Sequence, residues 1–157
     1  MAERLSTGFV NAVNATGSVK SVMADGVIYI YSGTQPATAD AVESGTLLMV
    51  ITVNAGAFTP GSATNGLEMG TSTDGVLSKA AGETWKGVGL AAAGTGTTAG
   101  WYRWYANART QGASTTAVRV DGAIGTTSSY EMQLTNNVIV EGGELILQTF
   151  NYNFTKQ

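Results

Sequence analysis

At Gly26 the chain changes its apolar period, and that change divides it in two. Before it, Leu5, Phe9 and Val13 lie four apart, the spacing of one face of a short helix, with Ser6 or Thr7 placed to cap it. Gly8 and Gly17 weaken that helix. A second helical turn is expected from Ser18 as N-cap, turning Val19, Val22 and Met23 inward and stopping at Asp25-Gly26. After Gly26, short β-branched and aromatic runs separated by turn residues take over.

The first run, Val27 to Tyr31, closes at Ser32-Gly33. Thr46 to Val53 is apolar on both faces, as expected between two packed layers. Thr84 to Leu90, Trp101 to Ala106, Ala117 to Val120, Tyr130 to Leu134 and Glu144 to Thr155 follow. In the last, Ile146, Phe150, Tyr152 and Phe154 are expected on one face. Asn65-Gly66, Asp74-Gly75 and Asp121-Gly122 are tight-turn pairs, because glycine tolerates positive φ. Residues 60–66 and 91–100 read as Gly/Thr/Ala loops within one domain. The expected fold is all-β, a jelly-roll-like β-sandwich over 27–157, preceded by a helical arm or plug over 1–26.

Composition narrows the chemistry. The 157 residues include neither Cys nor His, so disulfides, Cys/His zinc sites, Cys–His or Ser–His–Asp machinery and histidine switches are excluded. The net charge is −3, and no two of the basic residues are adjacent. Binding to nucleic acid, or to anionic membrane, draws on clustered Lys and Arg, so neither partner is expected. No run of apolar residues is long enough to span a bilayer, and Met1-Ala2-Glu3-Arg4 is unlike a secretory signal.

Three local features bear on sites. Gly94-Thr95-Gly96-Thr97-Thr98-Ala99-Gly100 lacks the following helix and the lysine of a phosphate-binding loop, so it reads as a hairpin loop. The carboxylate pairs Asp40/Glu43 and Glu141/Glu144 fall in expected polar turns, where water holds their charge, rather than across a cleft. No calcium-loop motif is present, and no cofactor, metal or catalytic residue is expected. In Trp101-Tyr102-Arg103-Trp104-Tyr105 the residues Trp101, Arg103 and Tyr105 share one strand face, Tyr102 and Trp104 the other. One face is expected to fill the core. The other either covers a rim of the core, with the Arg103 stem lying between rings, or is contact surface for a protein partner or for sugar rings.

Arg4 to Ala12, Gly26 to Asp40, Gly45 to Leu48, Ala99 to Trp104 and Val118 to Gly122 together resemble a widespread group of small structural proteins of tailed bacteriophages. The resemblance implies a virion component made in the bacterial cytoplasm. It fits a capsid decoration, or cement, protein that holds the major capsid protein or other virion proteins and acts as a homo-oligomer, here expected to be a trimer. The alternatives are a tail tube, adaptor or fibre piece, or a carbohydrate-binding module using Trp101, Trp104 or Tyr105. The interface residues expected on a shell are Leu5, Phe9, Val13, Trp101, Arg103 and Tyr105. If the N-terminal helix is instead a plug, Leu5 and Phe9 touch only their own chain.

Overall fold

The computed structural model describes residues 3–153. Arg4 and Leu5 form a short strand, β1 (Arg4–Leu5), and Ser6 then caps α1 (Thr7–Ala15). The Ser6 hydroxyl accepts from the Phe9 N–H at 3.0 Å and donates to the Ala117 carbonyl at 2.7 Å, so one side chain both starts the helix and docks it. Asp40 adds a second cap, accepting from the Thr7 N–H at 2.9 Å and the Thr7 hydroxyl at 2.6 Å. Leu5 is therefore not on the helix with Phe9 and Val13. The Arg4 guanidinium, bonded to the Gln35 and Pro36 carbonyls, holds this residue pair extended until Ser6 turns the chain. Ser18 caps α2 (Val19–Val22), and Val19 and Met23 are buried.

Beyond Gly26 the strands are β2 (Val27–Ser32), β3 (Leu47–Val53), β4 (Met69–Thr73), β5 (Val76–Lys79), β6 (Trp85–Gly89), β7 (Thr97–Tyr105), β8 (Arg119–Gly125), β9 (Met132–Gln133), β10 (Val138–Ile139), β11 (Glu144–Leu147) and β12 (Asn151–Asn153). They make a large sheet in the order β1-β8-β7-β2-β3-β6-β11, with β9 joined to β8 and β10 to β7, and a small sheet β12-β5-β4. The protein is an all-β sandwich with a short helical N-terminal segment. No helix among the described residues is long and apolar enough to cross a membrane.

Strand alternation sends Ile28, Ile30, Met49, Ile51, Tyr102 and Trp104 to the inner face of the large sheet. There they meet Met69, Leu77 and Tyr152 of the small sheet in one core. The Trp104 ring lies 5.4 Å from that of Phe150, edge to face, and the Phe9 ring 6.1 Å from that of Tyr152. Phe9 is only 2% exposed, so α1 packs on its own sandwich through this ring.

Two further sequence expectations are corrected. Asp121-Gly122 is no turn but the middle of β8, paired with Arg103 and Tyr102 of β7. Asp121 is held there by Arg103, and Gly122 by the Tyr102 ring, which occupies the space a side chain would need. Glu144 to Thr155 is not one strand. It divides between β11 in the large sheet and β12 in the small one, so Ile146 is 44% exposed while Phe150 and Tyr152 are buried; Phe154 lies outside the described residues. Asp74-Gly75 does turn, with φ of 51° and 82°, but the strands it joins, β4 and β5, carry too little apolar alternation to be read in advance.

Candidate functional site

The outer face of β2, β7 and β8 carries Tyr29, Tyr31, Trp101, Arg103, Tyr105, Arg119 and Asp121. Trp101, Arg103 and Tyr105 are each 0% exposed, so of the two readings of this face packing holds, and their expected place as interface residues is corrected. β7 lies in the interior of the sheet, between β2 and β8, and two loops, 33–46 and 106–118, close over its outer face. Trp101 stacks on Tyr31 with ring centroids 4.6 Å apart, and its indole N–H donates to the Ser44 carbonyl at 3.2 Å. Trp104 is buried on the opposite face. None of these rings presents a flat face to a sugar.

What holds the loops down is a neutral cluster of two arginines and two carboxylates. Arg103 donates through Nε and Nη2 to the Asp121 carboxylate at 2.6 and 2.7 Å. Its Nη1 reaches Glu43 Oε1 and the Ala41 carbonyl, both at 3.0 Å. Arg119 donates to the carbonyls of Ala39, Asp40, Thr110 and Gly112, tying both loops to β8. Glu43 also accepts from the Tyr105 hydroxyl at 2.7 Å and the Gly112 N–H at 3.0 Å. Burial pushes the Glu43 carboxyl up, but these bonds and the Arg103 charge outweigh it, and it titrates below the usual carboxylate range. Burial raises the Tyr105 phenol, as do the adjoining Tyr31 hydroxyl and Glu43 carboxylate, so it stays protonated and donating.

Glu43 thus sits within a clamp, not in the solvated turn its sequence neighbourhood implied. Its nearest partners, Arg103 and Tyr105, are 60 and 62 positions away along the chain. The one signal in the sequence was Arg103 itself, a charge in the middle of an aromatic strand. Such a charge is either at the surface or matched by a buried opposite charge. The clamp's polar groups are turned on one another and on loop carbonyls, so its chemistry is to fix the loops.

The other half of the same sheet face is partly open: Val50 and Phe58 pack half-buried against the covered rings, and beyond them the face is exposed. Val50 on β3, Lys86 and Val88 on β6, and Glu144 and Ile146 on β11 point outward beyond the covering loops. Val88 and Ile146 are exposed, as is Leu90 just after β6. Here a cavity of about 330 Å³ is lined by Tyr29, Val50, Thr52, Phe58, Val88 and Leu90. The one ion pair on this half-face, Lys86 to Glu144 at 2.5 Å, leaves it with no net charge. It is an uncharged stretch of surface with exposed apolar side chains.

The expected N-terminal anchors separate in the structure. Leu5 is exposed on β1 at the far edge of the sheet, Phe9 is in the core, and Val13 is partly buried against that core. The partly open half-face was not anticipated from the sequence, because its residues come from three strands far apart along the chain. No protein-family model, no curated protein and no solved structure matches the chain.

Proposed function

We propose that this chain is a structural protein of a tailed-bacteriophage virion, a decoration protein that binds the assembled capsid shell. The observation that carries the reading is the partly open, uncharged half-face of the large sheet where Val88, Leu90 and Ile146 are exposed, beside a half-face that the chain covers for itself. It joins the sequence resemblance of Gly26 to Asp40 and Ala99 to Trp104 to phage structural proteins. A protein that binds only the assembled shell stabilises it by mass action. Fully burying a Val or Leu side chain contributes roughly 1.5–3 kcal/mol, so these partly exposed residues supply a modest interface per copy, multiplied over a shell.

The test is co-sedimentation with undecorated shells of the phage that encodes the chain, comparing the protein with its Leu90→Asp variant. Saturable binding that Leu90→Asp abolishes supports the proposal. Binding to purified tails with none to shells would move the chain to the tail. Binding to neither would refute a virion role.

A further inference from the structure

We propose that β11 pairs antiparallel with β11 of a second copy of this chain, continuing the large sheet across a two-fold axis. The pairing stands independently of the virion reading. β11 is the last strand of the large sheet, hydrogen-bonded to β6 on one side, and no described strand pairs with its other side. Exposed sheet edges are normally guarded by lysine, proline, a bulge or an inward-pointing charge. β11 carries no lysine, proline or bulge; Leu145 and Leu147 turn to the core, and on the outer face Ile146 is exposed beside Glu144, whose carboxylate is neutralised by Lys86. The other free edges differ. β1 is two residues long, β4 is exposed along Thr71, Ser72 and Thr73, and β12 shows Asn151 and Asn153 to solvent.

A strand edge recognises another strand by backbone donors and acceptors, and the chain's own β11 is the edge of matching length and apolar character. Residues opposite one another must point to the same face, so the axis passes through either Leu145 or Ile146. An axis at Ile146 sets Glu144 against Gln148, beyond the end of the strand. The Gly143 carbonyl accepts from the Gly89 N–H, so by alternation Leu145 and Leu147 bond to β6 while Glu144 and Ile146 turn their backbone groups to the free edge. An axis at Leu145 sets those two residues opposite one another in both copies, and the remaining pair, Leu147 with Gly143, makes no ladder bond. Adjacent strands are about 4.8 Å apart, so Glu144 of the second copy then lies roughly 10 Å from the Lys86 backbone, across Ile146. A lysine and a glutamate side chain together span that gap. Each Lys86 therefore stands between two carboxylates, its own and that of the other copy, with the two Ile146 side chains enclosed between them. That complementarity selects a second copy over an unrelated strand. It also selects a pair over the expected trimer, because a three-fold ring would require β11 to meet one of the polar or two-residue edges.

Sedimentation equilibrium of the full chain across the micromolar to millimolar range tests this, with Ile146→Lys, Lys86→Glu and the exchange Lys86→Glu/Glu144→Lys. Circular dichroism confirms that each variant is folded. The expected result is a monomer–dimer equilibrium. Each single substitution weakens it on the order of tenfold, since every change acts twice across the axis, and the charge exchange restores it. A strictly monomeric protein, a trimer, or a dimer indifferent to Ile146→Lys would each overturn the pairing. None of these results touches shell binding, which is read with Leu90→Asp.

Discussion

Arg103 and Asp121 stand directly opposite one another on β7 and β8, joined by two hydrogen bonds of 2.6 and 2.7 Å, with no side-chain surface exposed on either. The pair lies at the centre of the sheet's covered face and sets the charge balance that Glu43 and Arg119 complete. Burial disfavours the Arg103 charge, but the bidentate bond and the attraction of Asp121 outweigh it, so the guanidinium holds its proton more tightly than a free one.

Removing one partner leaves a buried, unmatched charge, which is far more costly than removing both. Asp121→Ala is expected to lower unfolding stability by about 3–5 kcal/mol, measured by urea denaturation. The double variant Arg103→Met/Asp121→Leu should be more stable than Asp121→Ala alone. A double variant that loses as much as the sum of its single changes would show that the pair is not coupled.

Glu43 makes the acid limb of stability predictable. Its carboxyl titrates lower in the folded state than in the unfolded chain, where a glutamate titrates near about 4.3. Its contribution is therefore complete above that value and is lost as pH falls through the lowered folded value. The stability difference between the protein and Glu43→Gln should be largest at neutral pH and shrink below about pH 4. A difference that is constant down the acid range would refute the role of the charge. Taking the difference cancels the other titrating groups around it, Asp121 among them.

Gly8 tests how closely α1 is docked. In a free helix, Gly→Ala stabilises by about 0.8–1 kcal/mol. Here a methyl at Gly8 would overlap the carbonyl oxygens of Thr116 and Ala117, which are backbone and cannot swing aside. Overpacking typically costs about 1–3 kcal/mol, so Gly8→Ala should be net destabilising and lower Tm. A raised Tm would mean that the helix stands off from the loop.

Phe9 and Leu5 should behave differently although the sequence grouped them. Phe9 is in the core, and Phe9→Ala should cost about 3–5 kcal/mol while the β spectrum persists. Leu5 is 40% exposed at the sheet edge, and Leu5→Ala should change stability by less than about 0.5–1 kcal/mol. Equal losses at both would refute the separation of β1 from α1.

What the sequence determined by itself was local. The period change at Gly26, the Ser6 and Ser18 caps, the Asp74-Gly75 turn and the strands β2, β3, β6 and β7 each depend on residues within a few positions of one another. Short-range sterics, capping bonds and side-chain alternation act over that distance. Tertiary structure decided which face of β7 is covered, why Asp121-Gly122 runs straight, where Glu144 to Asn153 changes sheets, and which half-face stays partly open. Those outcomes rest on pairs such as Glu43 with Arg103, 60 positions apart, and Ser6 with Ala117, 111 apart. A charge in an apolar strand is tolerated only where the fold brings its opposite within bonding distance. No local pattern carries that information, since the partner's position is set by how the sheet is ordered.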